Sequence, residues 1–443
     1  MKEHLTILLL TTICIEGSVS GAQPQEGEAL WSYGAGSTIL SSPTLGVDGS
    51  VYIGTAYNIQ AVTNNGSTAS NKWSLPYPVN SSPAVAVDGT IYFGSGPTFY
   101  SIRPDGSQKW SISLSNSSYV STPAIGPDGK VYFVCGGKLR CISSKGEQEW
   151  ATQIDSTSDG GALAGPVLGL DNSIYVGSSD SFWFYAIGPD GTQKWKKHLA
   201  DAPSESAAVQ PDGHVYISAT YVYAFSGSGS PTWTNSTWGL SPAAIGPSGT
   251  IYVADVDRAL TAISPAGETK WQVLRYAVRF PTSTPAVDVT ERIYYCTSNR
   301  LFAVAAAGNV EWVFVPPMEL PYEQVTSPII GGDGTIYVGI HNTLYAICNT
   351  NRPADTYWPM YHQNARHTGR IDKPSIRKPQ KRADANFQFQ IYDTLGNTNT
   401  VQASSDLALW TSLTDIVITN IPVDFIDYTA SNFASRFYCT IQQ

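Results

Sequence analysis

Short apolar runs alternate with turn-forming pairs over most of the chain, with the lengths and composition of strands rather than helices. Residues 83–110 show one unit. Pro83-Ala84-Val85-Ala86-Val87 is a small apolar run, with its proline tolerated at a strand end. Asp88-Gly89 supplies the positive φ angles of a tight hairpin turn. Ile91-Tyr92-Phe93 and Tyr100-Ser101-Ile102 read as the second and third strands, and Gln108-Lys109-Trp110 opens a fourth after the turn at Pro104-Asp105-Gly106. The unit is predicted to be a four-stranded antiparallel meander.

The unit recurs along the chain. The tyrosine after its first turn stands at Tyr52, Tyr92, Tyr132, Tyr175, Tyr216, Tyr252, Tyr294 and Tyr337. These eight copies lie about 40 residues apart, the length of one propeller blade. A tryptophan marks the fourth strand at Trp31, Trp73, Trp110, Trp150, Trp195, Trp233, Trp271 and Trp312. A glycine lies four residues earlier in seven cases; only Trp73 departs, with Gly66 seven residues back. A large ring at a fixed place on every fourth strand suits wedging between blades, where its burial stabilises by several kcal/mol.

The eighth copy runs through Leu344-Tyr345-Ala346-Ile347 and stops without its Gly-x-x-x-Trp strand. The chain start has the reverse fault, since Gly27 to Trp31 is a fourth strand with no blade before it. Joining the two completes the ring and hides both edges. The predicted fold is all-β: an eight-bladed β-propeller over residues 23–370, closed by its N-terminal strand, plus a small C-terminal β-domain.

The flanking segments read differently. Lys2, the apolar run Leu5–Ile15 and the small residues Ser20-Gly21-Ala22 resemble an export signal over residues 1–22. Ile13 is too bulky beside Cys14 for a good lipoprotein box, and no later run is apolar for long enough to span a bilayer. Residues 371–385 carry Lys373, Arg377, Lys378, Lys381 and Arg382 with Pro374 and Pro379, and read as a semi-extended basic linker. Alternation returns at Phe387, Phe389 and Ile391, so residues 386–443 are expected to form a β-domain near the lower size limit for independent stability.

Charge and cysteine usage narrow the chemistry. The formal charge of −9 argues against nucleic acid as a partner, because phosphate neutralisation needs an excess of Lys and Arg. An exported monomer is expected, in the periplasm, at the cell surface or outside the cell. Five cysteines remain after removal of the signal, an odd number that cannot pair fully within one chain. Cys135 and Cys141 flank a hairpin turn, and either a cross-strand disulfide or two small apolar residues suits the position. No spacing resembles a zinc site. Turn geometry explains Asp48, Asp88, Asp128, Asp212 and Asp333, so none stands out as a base or metal ligand. His362 and His367 lack nearby carboxylates or cysteines, and a capping role in their segment accounts for them better than a metal does.

The Asp-Gly-x-Ile/Val-Tyr core, with segments such as Ala186-Ile187-Gly188-Pro189-Asp190-Gly191-Thr192-Gln193-Lys194-Trp195, resembles the quinoprotein-type (pyrroloquinoline-quinone-like) propeller repeat over roughly residues 27–370. Trp358 to Gly369 is similar to a closing segment that follows such repeats in bacterial surface proteins. Ser405 to Thr411, with Asp424 to Asp427 and Arg436 to Tyr438, resembles a short carboxy-terminal module of exported proteins in verrucomicrobial-type bacteria. The resemblance implies two branches. Dehydrogenases of the family hold a quinone and Ca²⁺ in the central channel, with an adjacent cysteine pair and an Asp as base. This chain has no two cysteines in succession, and its short blades offer little to roof a cofactor. The other branch holds the eight-bladed lipoprotein that assists outer-membrane barrel assembly, a non-catalytic scaffold, and compact blades fit it better.

The expectation is a non-catalytic exported propeller that acts as a protein-interaction or surface-binding scaffold, with no cofactor and with an unknown protein or surface polymer as partner. A quinone-dependent dehydrogenase-like protein and a carbohydrate or surface-polymer binder stay open as alternatives. Loops on a rigid scaffold are where binding usually sits. Asp155–Gly161, Leu274–Phe280 and Pro316–Tyr322 are the longest or most aromatic, which makes Arg275, Tyr276, Arg279, Glu319 and Tyr322 the candidate binding residues.

Overall fold

Eight four-stranded antiparallel sheets follow one another along the chain in the computed structural model, as the eightfold count requires. It describes residues 24–442, apart from 80, 115–118, 156–164, 204–205, 240, 256–257, 275–282, 298, 318–323, 355, 357, 365, 370–374, 383–385, 393–397, 406–410, 418–422 and 431–436. The second blade shows the pattern: Ala84–Val85, Ile91–Ser95, Thr98–Ile102 and Gln108–Ser113 pair in sequence order. The inner strand of every blade is only two residues long, and the second strand is buried on both faces because a neighbouring blade covers each side. The outer strand alternates exposed and half-buried positions.

The Asp-Gly turns are one residue wider than the tight hairpin expected. Ala86 N donates to Thr90 O and Gly89 N to Ala86 O, with Gly89 at φ 83°. That is a type I turn followed by a left-handed glycine. The aspartates serve the turn, as expected: the Asp88 carboxylate accepts from Thr90 N at 2.9 Å, and Asp48, Asp128, Asp212 and Asp333 repeat the contact two residues on.

The Tyr and Trp of each unit meet inside the blade, with ring centroids 5.6–6.0 Å apart from Tyr216–Trp233 to Trp31–Tyr337. The ring then reaches into the next blade. Trp73, Trp110, Trp150, Trp195, Trp233 and Trp271 each donate their indole N–H to a carbonyl in the turn before the next outer strand, at 2.8–3.0 Å. The glycine of the Gly-x-x-x-Trp pattern lies on that ring. A Cβ on Gly191 would sit 2.8 Å from Trp150, and one on Gly229 would sit 2.7 Å from Trp195. The spacing in one blade therefore accommodates the tryptophan of the blade before it.

Closure is the predicted one. Ala29–Gly34 pairs antiparallel with Thr343–Ile347, and the eighth sheet continues through Ile336–Ile340 to Ile329–Ile330. Gly27 lies on the ring of Trp312, so the chain start completes the last interface. Its replacement turn supplies no carbonyl to Trp312 Nε1, which is buried without a partner among the described residues. Arg292 crosses the same seam, pairing with Glu26 at 3.0 Å and also with Glu311. The departure at Trp73 has its explanation here too. Gly66 has no ring beneath it, and Asn64 Oδ1 instead accepts the Trp31 indole N–H at 3.0 Å.

The C-terminal strands form two three-stranded sheets. One contains Ser375–Lys381, Phe387–Tyr392 and Val423–Asp427; the other contains Thr411–Val417, Thr398–Ser404 and Phe437–Gln442. Phe389, Ile391 and Val401 are its buried centre, with Phe387, Phe425 and Tyr438 packed on them. The first strand falls inside the stretch read as a basic linker. Pro379 had marked it as a spacer, but this strand lies at a sheet edge and the register shifts between Arg377 and Gln380. An edge irregularity is a place where a strand tolerates proline.

Cys135 and Cys141 are free, and the register explains why. Cys135 faces Lys138 and Cys141 faces Tyr132, so the two cysteines are not opposite one another. Burial pushes the Cys141 thiol up to about 12. No helix among the described residues is long and apolar enough to cross a membrane.

Candidate functional site

Two features of the propeller could meet a ligand, the central channel and the face that carries the long connections. The channel is bounded by the inner strands, whose inward amides have no ladder partner within the blade. Buried Ser and Thr side chains link the starts of five neighbouring inner strands: Ser42 N donates to Ser82 Oγ, Ser82 N to Thr122 Oγ1, Thr284 N to Ser327 Oγ, and Ser327 N to Ser42 Oγ, at 2.9–3.1 Å.

The chain's own segment from Pro353 to Gly369 accepts from inward amides of five blades. Val85 N donates to Arg366 O, Ile125 N to Thr368 O, Leu168 N to Gly369 O, Ile245 N to Trp358 O and Val287 N to Pro359 O, all at 2.7–2.9 Å. Trp358 and His367 are 0% exposed, and Met360 and His362 only 1%. Trp358 belongs to the hydrophobic cluster that also holds Ala207, Ala208 and Ala243. Tyr361 OH bonds Thr122 Oγ1 at 3.0 Å.

His362 Nε2 bonds Ser206 Oγ at 2.9 Å, and His367 Nδ1 lies 2.9 Å from Thr44 Oγ1 and 3.2 Å from Pro83 O. Thr44 Oγ1 already donates to Pro83 O, so His367 Nδ1 carries the proton and its Nε2 is the orphaned acceptor. Burial pushes both imidazoles down to about 3, so both are neutral at physiological pH. Among the described residues no group of three or more His, Cys, Asp or Glu could hold a metal ion.

The channel is where the quinone of related dehydrogenases would sit, and the residues there do not fit one. A Cβ added to Gly165 would already meet His362 Nε2 at 2.5 Å, and one on Gly369 would meet Ala124 at 2.9 Å. Where a methyl group has no room, a tricyclic cofactor has none unless the segment leaves.

The second feature follows from the meander. In every blade the turns after strands one and three share one face, and the turns after strand two share the other with the connections between blades. The first face is built of short turns, Asp-Gly among them. The second carries the exposed aromatic side chains that the described part of the propeller shows: Tyr57, Tyr119, Tyr221 and Trp238. Arg275, Tyr276, Arg279, Glu319 and Tyr322 lie outside the described residues. Of the third loop, Asp155 is described. It is buried and accepts from Ser178 Oγ at 2.6 Å.

Sequence reading singled out Trp358 to Gly369 as a closing segment but not its place in the channel, and it missed the aromatic quartet. The quartet leaves a signal, because Trp238 lies outside the eight fourth-strand positions and the repeat gives it no structural task.

These observations define a closed eight-bladed propeller of quinoprotein-type repeats whose channel is filled by its own chain. The sequence pattern of the family described as outer membrane protein assembly factor BamB matches residues 15–182 and again 180–361, and the chain belongs to that family. No curated protein sequence matches it. Its fold is similar to BamB from Moraxella catarrhalis, at 14% identity over 71% of this chain and 97% of that one, with a TM-score of 0.57. It is also similar to Saccharomyces cerevisiae Sqt1, at 11% identity over 73% of this chain and 99% of that one, with a TM-score of 0.60. At such identities the likeness speaks for the fold.

Proposed function

We propose that the protein is an exported, non-catalytic scaffold that holds a protein or surface partner on the face carrying the inter-blade connections. The observation that carries this reading is the one-sided distribution of exposed aromatics, since such side chains supply contact area at low entropic cost and are enriched where proteins bind. Membership in a family described by membrane-protein assembly supports it. The filled channel weighs against the quinone-dependent alternative. Arg275, Tyr276, Arg279, Glu319 and Tyr322 are the proposed contributors of charge and further aromatic groups to partner binding. The apolar run Leu5–Ile15 supplies the export signal.

Photo-crosslinking in the native envelope tests the proposal. A crosslinking residue at Tyr57 or Tyr119 should capture a discrete partner, whereas one at Val47 or Val87, exposed on the Asp-Gly turns, should not. Alanine at the five loop residues should diminish the captured band. Equal capture from both faces, or none from either, would contradict the assignment.

A further inference from the structure

One blade edge departs from the repeat. In four blades the residue before the repeated tryptophan is a lysine that bonds back to its own blade. Lys72 pairs with Asp48 at 2.6 Å, Lys109 with Asp88 at 3.4 Å and Lys194 with Asp171 at 2.9 Å, while Lys270 donates to Thr250 Oγ1 at 2.9 Å. The fourth blade adds Lys196, Lys197 and His198 to the same strand, Gln193–His198, and the repeat gives them no such task. Lys196 and His198 are exposed and Lys197 is half-buried. Among the described residues Lys194 makes the only ion pair of this strand. Asp201, the next acid along the chain, is engaged by Ala202 N and Thr220 Oγ1.

The spare charges are held in place by aromatic rings. Trp183 faces His198 across the ladder, and Tyr185 faces Lys196. Lys196 Nζ stands 4.4 Å from the centroid of the Trp183 ring and 5.9 Å from that of Tyr185. His198 meets Trp183 edge-on at 4.9 Å. Attraction to the ring face positions the ammonium without neutralising it. Trp183, like Trp238, lies outside the eight fourth-strand positions. Phe182 before it has φ 57°, a strained value for a bulky residue, and its carbonyl accepts from Leu199 N at 2.8 Å. The end of the lysine strand is thereby fixed to the turn that carries the tryptophan.

Gln193–His198 is the last strand of its sheet among the described residues, so one row of its backbone groups lacks a ladder partner. Lysines on such an edge deter like strands, and a second copy would set lysine against lysine. The same charges select an acidic strand. A flat anionic membrane fits less well, because the outer strand of the third blade, Gln148–Gln153, presents exposed Glu149, with exposed Glu147 before it. Two spare lysines are too few to hold a nucleic acid against a formal charge of −9. We propose that this edge takes an acidic, extended segment of a partner protein as a fifth strand. The backbone of that segment pairs with Gln193–His198, and its carboxylates meet Lys196 and Lys197 on the two faces of the sheet. The edge is separate from the connection face, and neither reading depends on the other.

The test is fluorescence anisotropy of the full chain with a labelled octapeptide of the repeat Glu-Glu-Thr-Thr, which puts carboxylates on both faces of a strand. Saturable binding is expected at roughly submillimolar affinity in low salt, weakening as salt is added. The Lys196→Gln, Lys197→Gln double variant should weaken it about fivefold with an unchanged melting temperature. Lys145→Gln, on an exposed turn of the third blade, should leave it intact. The same peptide with alternate backbone amides methylated keeps its charge but loses its donors, and should bind about tenfold more weakly. No saturable binding, binding unchanged in the double variant, or equal binding of the methylated peptide or of one with lysine for glutamate overturns the proposal. Phosphatidylglycerol vesicles that bind through the two lysines while the peptide does not would also overturn it.

Discussion

At each blade interface one glycine decides whether the preceding tryptophan can lie flat beneath it. Gly191 has φ 85° and no space for a Cβ above Trp150, whereas Gly66 has φ 82° and nothing within 4 Å. Gly191→Ala should therefore carry both backbone strain and overpacking, about 2–5 kcal/mol in urea unfolding, and Gly66→Ala strain alone, about 1–2 kcal/mol. Equal costs would contradict the steric role. His362 and His367 set a pH dependence at the same scale. Their folded values near 3 lie below the ordinary 6.5, so the unfolded chain binds more protons between the two and stability falls as pH drops through that window. His214, raised by its hydrogen bond to Asp212, opposes the trend in part. Melting temperature followed from pH 7 to 5 should decline, and a His362→Gln, His367→Gln double variant should flatten the slope. A slope unchanged by the double variant contradicts neutral burial.

At the scale of elements, the closing strand and the channel segment are the two pieces that make a ring from eight modules. Deleting residues 24–34 strips the edge Thr343–Ile347 and uncovers Trp312, and should lower the melting temperature and promote aggregation. An unchanged melting temperature refutes the closure. The closing strand was legible because Gly27 to Trp31 repeats a pattern whose other members sit in complete blades. The channel segment was legible as a closing piece but not by its place. Trp358 to Gly369 shows no strand alternation, and its fit depends on residues in distant blades, such as Gly165 against His362. The strand Ser375–Lys381 was hidden by its prolines and basic residues, which composition cannot separate from a spacer. Cys135 and Cys141 were ambiguous because spacing gives neighbouring strands but not the side-chain register across a hairpin. That register predicts slow alkylation. Buried Cys135, Cys141 and Cys296 should resist maleimide until the chain unfolds, and half-buried Cys348 should react first among the four.

For the whole molecule, the fold gives two unlike faces and a filled axis. Repetition in the sequence revealed the blades, because each repeat is locally self-consistent. The faces and the axis emerge only when the blades are assembled, so the exposed aromatic quartet and the filled channel had no local signature beyond one unexplained tryptophan. Binding is then expected at the connections. Hydrogen exchange of individual backbone amides tests that arrangement most directly. Val85, Ile125, Leu168, Ile245 and Val287 should be protected to the level of the central strands, because the segment Trp358–Gly369 accepts their hydrogen bonds. Exchange of these five amides at the rate of open strand edges would show an empty channel and contradict the account.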